Sequence, residues 1–353
     1  MKALLLAGGL GTRLRPLTEE LPKPLTPVCN RPWLEHLMVH LRDQGIREFV
    51  LAVKTHADKI QSYFQDGQAL GVHIEYAYEQ SLLGTAGAIK NAEHLLDGRF
   101  LVFNADIVHL VNVAPLLEFH ERHGGLVTIG LTEVNDPSHY GVVELTKQGE
   151  ILRFVEKPKR EEAPSNHINA GIYVMETSVL DWIPKNRETS IERETFPALI
   201  DHCVGVYGMP VDGYWLDMGT VDRYMQLHDD IFAKRAPVHM SYRMTREGVW
   251  MGKEARVHPG ATIIPPVVIG EGAVVQSGCT VGPYVSLGDH AVVRAGASVS
   301  RSIVWPGATV GSEELVSDAV VGRTFVTQAC RPAPSAAVRE QETANEREPV
   351  MQR

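Results

Sequence analysis

From Val257 onward an aliphatic residue returns at every sixth position: Val257, Ile263, Ile269, Val275, Val281, Leu287, Val293 and Val299. Four places after each stands a residue that is mostly small or β-branched: Ala261, Val267, Ala273, Cys279, Val285, Ala291, Ala297 and Ile303. Gly270, Gly282 and Gly288 directly follow three of the aliphatic positions. A six-residue aliphatic period marks a parallel β-helix. Each hexad forms one flat face, and its aliphatic side chain points inward to stack on the next coil. Eight unbroken registers make chance a poor explanation. The register falters at Trp305, which leaves 303–310 as one more, irregular rung. The repeat predicts a β-helix over 250–325. The stretch 331–353 is rich in Glu, Arg, Pro and Ala, with few residues able to pack, and reads as a disordered tail.

The chain before the repeat has a different rhythm. Short apolar runs at 3–6, 48–53, 73–78, 100–104 and 126–131 read as strands, and amphipathic stretches at 33–44, 57–65, 85–95 and 113–123 read as helices between them. Such alternation predicts an α/β layer fold with a mostly parallel sheet. The runs at 151–156 and 170–175 read as later, antiparallel additions. A closing helix over 221–234 would end at Arg235-Ala236-Pro237. Ligands of such sheets bind outside the carboxyl ends of the strands, so the loops that follow strands carry the information.

Composition sets limits on function. A length of 353 residues suits two domains, here 1–235 and 250–325, and 44% hydrophobic with 22% charged residues suits a sizeable core. A net charge of −9 argues against a general nucleic-acid binder, although a local basic cluster could still hold phosphate. Cys29, Cys203, Cys279 and Cys330 lie far apart without metal-ligand spacing, the pattern of a reduced, cytoplasmic protein. The apolar run near Met1 is too short for a signal peptide and flows into glycines, so a buried strand explains it better. No stretch approaches a membrane span.

The sharpest local signal follows that strand: Leu6-Ala7-Gly8-Gly9-Leu10-Gly11-Thr12-Arg13-Leu14-Arg15-Pro16-Leu17. Three glycines in four residues allow tight turns and expose backbone N–H groups, the chemistry for cradling phosphates. The P-loop pattern is absent. The dinucleotide fingerprint fails at Leu14, where a third glycine belongs, and at Lys54, where an acid belongs. Alone, the loop would read as a glycine turn. It is followed by Pro22-Lys23-Pro24-Leu25, two prolines that hold a lysine in an extended segment and aim its ammonium.

The joint pattern resembles the sugar-1-phosphate nucleotidylyltransferase family. The resemblance runs from Met1 to about Asp230, and the hexad repeats extend it to members with a C-terminal left-handed β-helix. It implies a Rossmann-like nucleotidyltransferase domain with a mostly parallel mixed sheet. It implies that Leu6, Ala7, Gly8, Gly9, Gly11 and Thr12 wrap a nucleoside triphosphate, while Arg13 and Lys23 neutralise charge at the reacting phosphate. The residues of Asn104-Ala105-Asp106, at a strand's carboxyl end, would supply nucleotide-binding Asn104 and metal-binding Asp106. Asp217 in Trp215-Leu216-Asp217-Met218-Gly219 resembles the second metal ligand. Either aspartate could also be a cap or turn residue. Together they would suit Mg²⁺, which takes few protein ligands and keeps waters.

Glu156-Lys157-Pro158 and Asn169-Ala170-Gly171 resemble the family's sugar-phosphate motifs. Lys157 would meet the phosphate, Glu156 and Asn169 the sugar, and Gly171 would let backbone come close. Gly84 and Thr85, in Leu83-Gly84-Thr85-Ala86-Gly87-Ala88, match the base-recognition segment. That segment and Ser190-Ile191-Glu192-Arg193-Glu194-Thr195-Phe196-Pro197 lean toward mannose-1-phosphate guanylyltransferases, hence GTP and mannose 1-phosphate. Thymidylyl-, uridylyl- and heptose guanylyltransferases share parts of both. A regulatory nucleotide-sugar sensor would be expected to lose part of the phosphate loop or the aspartate pair, and this chain keeps them. His258 and His290 raise a β-helix acyltransferase, but surface histidines are the simpler account. The expected partners are a nucleoside triphosphate and a sugar 1-phosphate, with no nucleic acid or membrane, in a homo-oligomer.

Overall fold

The computed structural model describes residues 1–9 and 11–329. Leu10 of the glycine loop, Cys330 and the tail expected over 331–353 lie outside the described residues. The central sheet runs in the order Ile151–Glu156, Gly141–Leu145, His167–Glu176, Arg99–Asn104, Lys2–Leu6, Glu48–Val53, His73–Tyr78. Lys2–Leu6 lies at its heart, parallel to both Glu48–Val53 and Arg99–Asn104. Its Ala3, Leu4 and Leu5 are fully buried, because helices and ribbons cover both sheet faces. His167–Glu176 runs antiparallel to Arg99–Asn104 and also pairs with Val127–Glu133, which pairs with Val206–Pro210.

The expected strands and helices are present within a few residues. The helix expected over 85–95 divides into Gly84–Asn91 and a 3₁₀ turn, Glu93–Leu95. Gly141–Leu145, Val206–Pro210 and a ribbon of Ile107–Val111 with Gly213–Asp217 were not anticipated. The ribbon matters most. Its register pairs Asp217 with Ile107, the residue after Asp106, so two aspartates distant in sequence arrive side by side.

Beyond Arg243 the chain winds into a parallel β-helix. One face stacks Val249–Met251, Val267–Ile269, Val285–Leu287, Ile303–Val304 and Ala319–Val321. Two further faces stack Arg256–Val257 through Thr309–Val310, and Thr262–Ile263 through Leu315–Ser317. Val275, Val281, Leu287, Val293 and Val299 are buried as the period requires. The expected irregular rung proves to be a shift of register. Leu287 pairs with Val304 rather than with residue 305, and Val293 with Val310, so the coil drops one residue there; Val304 pairs with Val321, so it drops another after Val316. Val304 occupies the stacking position, and Trp305 falls beside it.

The β-helix is not a detached appendage. Val28, Cys29 and Tyr224 of the first domain share one buried apolar cluster with Val267, Ile269 and Trp305. Among the described residues, no helix is long and apolar enough to cross a membrane.

Candidate active site

A cavity of about 310 Å³ opens at the carboxyl end of Lys2–Leu6. Leu6, Ala7, Gly8, Gly9 and Gly11 line it, as do Lys23, Gly84, Thr85, Asn104 and Asp106. Sequence segments from four separate loops therefore meet where a parallel sheet places its ligands. Thr12, at the start of the 3₁₀ turn Thr12–Leu14, is not among the lining residues.

The charged centre of the site is Lys23. Its side chain is only 4% exposed, and its Nζ stands 3.4 Å from Asp106 Oδ2 and 3.9 Å from Asp217 Oδ1. Arg13 Nη2 reaches Asp217 Oδ2 at 3.5 Å from the solvent side. Burial pushes the Asp106 carboxyl up, but Lys23, with His109 and Arg13, outweighs it and holds the group below the usual carboxylate range. Two carboxylates that converge on one point suit a hard divalent cation, whose remaining ligands come from phosphate oxygens and water. Among the described residues there is no cluster of three or more such ligands, so a cage built wholly from protein is not on offer.

Beneath the ribbon, His109 is fully buried and its Nε2 meets Asn104 O at 3.2 Å. Burial pushes its imidazole down to about 4. A neutral ring that donates from Nε2 to that carbonyl satisfies the geometry. Asn104 Oδ1 is buried without a partner among the described residues, a free acceptor in the wall of the site.

The second group of expected residues lies on neighbouring strands. Gly171, at φ 75°, forms a bulge in His167–Glu176 that a side chain would strain, and Asn104 sits against it. Asn169 has both amide functions engaged within that bulge: Nδ2 donates to Tyr173 OH at 2.9 Å, and Oδ1 accepts from Gly171 N at 2.9 Å. Trp215 Nε1 donates to Ala170 O at 3.0 Å and ties the ribbon to this strand. Lys157 adopts φ 51°, is well exposed, and places its Nζ 3.5 Å from Glu156 Oε1. Burial pushes Glu156 up, nearby Glu192 adds to it, and Lys157 opposes both.

Two acidic residues were not singled out from the sequence, although Glu192 lies in the Ser190–Pro197 segment quoted above. Glu79 borders the cavity, and a β-carbon placed on Gly8 would stand 2.8 Å from its Oε1. Its Oε2 accepts from Leu83 N at 3.3 Å. The alternating run that ends at Tyr78 was its only hint. Glu192 lies on a π-helical turn, Ile191–Thr195, and accepts from Thr85 Oγ1 at 2.9 Å and Ser190 Oγ at 2.8 Å. That bond commits the Thr85 hydroxyl to joining the two segments. Such π turns concentrate at functional sites.

The nucleotidyl transferase family matches residues 2–234, and the GMPPB C-terminal domain matches residues 263–333. The mannose-1-phosphate guanylyltransferase of Mycobacterium tuberculosis is 38% identical over 275 residues, which cover 76% of this chain and 74% of that protein. Mannose-1-phosphate guanylyltransferase 1 of Arabidopsis thaliana is 40% identical over 279 residues, 76% of either chain. Among solved structures, HddC from Yersinia pseudotuberculosis complexed with GMP-PN superposes with a TM-score of 0.57 at 26% identity, over 65% of this chain and 99% of that one.

Proposed function

The chain belongs to the nucleotidyl transferase family, and from that premise we propose that it makes GDP-mannose and pyrophosphate from GTP and mannose 1-phosphate. The observation that carries this reading is the single cavity in which the glycine loop, Lys23, Asp106 and the Gly84–Thr85 turn meet Glu79. An ionised carboxylate only accepts hydrogen bonds. Guanine offers two adjacent donors, N1–H and the N2 amine, on one edge. Uracil and thymine offer a single N–H between two carbonyls, which a carboxylate repels. Glu79 at the Gly8 end of the loop would read the base, while Lys23 at the Gly11 end would meet the phosphates. The guanylyltransferase names of the relatives above support the same base and sugar.

In the reaction, an oxygen of the sugar 1-phosphate attacks the α-phosphorus in line. The bond from that phosphorus to the bridging oxygen breaks, and pyrophosphate leaves. Positioning and charge stabilisation do most of the catalytic work in such transfers. Arg13 and Lys23 would offset the charge that develops on the α-phosphate, and backbone N–H groups of 8–11 would cradle the triphosphate. Mg²⁺ held by Asp106 and Asp217 would supply further neutralisation of the triphosphate oxygens. Lys157 and Glu156 would take the sugar phosphate from the side of the Gly171 bulge. We assign this chemistry to residues 1–235 and a supporting, self-associating role to the β-helix over 250–325.

The test is base preference in Glu79→Gln. The amide keeps the shape and adds a donor that opposes guanine's. GTP kcat/KM should fall about 10- to 100-fold, with UTP affected less. An unchanged ratio of GTP to UTP use would remove Glu79 from base recognition.

A further inference from the structure

The segment that carries Lys23 does not rest on its own domain alone. Lys23 opens the 3₁₀ turn Lys23–Leu25, and the chain then enters a tight hairpin, Pro27–Val28 with Arg31–Pro32. The hairpin tip, Cys29 and Asn30, has both residues at positive φ, 46° and 71°. That tip is seated on the β-helix. Asn30 Nδ2 donates to Leu287 O at 2.6 Å, and Asn30 Oδ1 accepts from Ser286 Oγ at 3.1 Å. All three residues are buried, so one side chain is gripped through donor and acceptor by a single β-helix strand.

A second tie lies at the base of the hairpin. Tyr224 OH donates to Pro27 O and accepts from Trp305 Nε1 at 3.2 Å. Tyr224 is fully buried and Trp305 is nearly so. Polar groups this deep hold one geometry when fully satisfied, because losing a partner leaves the other unpaired. Trp305 reaches Tyr224 because of the dropped residue in the repeat. The shift hands the stacking position to Val304 and leaves the indole facing the helix Val221–Phe232, which begins shortly after Asp217. The first of two dropped residues in the hexad pattern thus falls where the β-helix touches the catalytic domain.

We propose that Trp305 and Tyr224 are positioning residues for Lys23: the β-helix holds the hairpin, and the hairpin aims the ammonium between Asp106 and Asp217. The proposal rests on the role given to Lys23 above. A long side chain is aimed by its backbone, and an error of an ångström at a reacting group is enough to slow the chemistry severely.

The experiment is a thermodynamic cycle in the full-length protein, with GTP, mannose 1-phosphate and Mg²⁺. Tyr224→Phe removes one hydroxyl and keeps the ring; Trp305→Phe removes the indole donor. Tyr224→Phe should lower kcat about 10- to 100-fold. The KM for mannose 1-phosphate should stay within about twofold, and thermal melting should remain cooperative. Trp305→Phe should show the same split, and Tyr224→Phe decides alone if Trp305→Phe does not fold. In single turnover at high enzyme concentration, adding Tyr224→Phe to Lys23→Ala should cost nothing further, because a residue that acts through Lys23 is silent without it. Wild-type kcat in Tyr224→Phe, or an equal loss with and without Lys23, overturns the proposal. Lys23→Ala at wild-type rate overturns instead the role of Lys23 on which it stands.

Discussion

Lys23 Nζ lies within reach of both aspartates, 3.4 Å from Asp106 and 3.9 Å from Asp217. Asp106→Asn or Asp217→Asn should therefore lower turnover at least about 100-fold, with the fold retained on circular dichroism. Near-normal rates for both variants at saturating Mg²⁺ would end the metal assignment. The two lysines should separate kinetically. Lys157→Ala should chiefly raise the KM for sugar phosphate, whereas Lys23→Ala should depress kcat and the handling of the triphosphate. The imidazoles of His36 and His109 are both pushed down to about 4, chiefly by burial. Between that value and the ordinary 6.5, the unfolded chain binds more protons than the folded one, so stability falls as pH drops through this window. The melting temperature should fall on acidification from about pH 7 to about 4, and less steeply in His36→Gln. An unchanged slope in His36→Gln would place the proton uptake elsewhere. At this scale the sequence was legible where short motifs meet in one place: the glycine loop, Lys23 and Asp106 border the same cavity. It was silent on Glu79 and showed Glu192 only as one residue of a longer segment, because the cavity and the π turn that place them exist only after distant segments pack.

The β-helix is the element most open to reading, because its six-residue period is at once its sequence and its geometry. Replacing the fully buried Val281 by Asp puts an unpaired carboxylate between stacked coils. That substitution should cost about 4 kcal/mol or more, measured by denaturant unfolding. A loss below about 1 kcal/mol would mean that the position does not face the stack. The dropped residue before Val304 was visible only as a faltering period, since a repeat shows that it slips but not what the slip serves. Gly141–Leu145 and Val206–Pro210 went unseen for a related reason. Each is short and stabilised by its neighbours in the sheet rather than by a pattern of its own. The ribbon that brings Asp217 to Asp106 is likewise a product of pairing across the fold.

For the whole molecule, the α/β region and the β-helix share buried apolar contacts and the hairpin tip. Truncation near residue 240 would expose Tyr224, Val28 and Cys29, so the shortened protein should melt at a lower temperature than the full chain. An unchanged melting temperature would contradict a shared core. The first β-helix coil keeps Val257 and Ile263 partly exposed, with Arg256–Val257 and Thr262–Ile263 paired on one side only among the described residues. Such edges are normally covered, which is consistent with the self-association proposed above. The central claim is catalytic, and it is tested most directly by pyrophosphate release from a matrix of GTP, UTP, dTTP, ATP and CTP against mannose 1-phosphate and glucose 1-phosphate. The account predicts the fastest release with GTP and mannose 1-phosphate, dependent on added Mg²⁺ and accompanied by GDP-mannose. Faster turnover with UTP or dTTP, or no pyrophosphate from any pair, would contradict it.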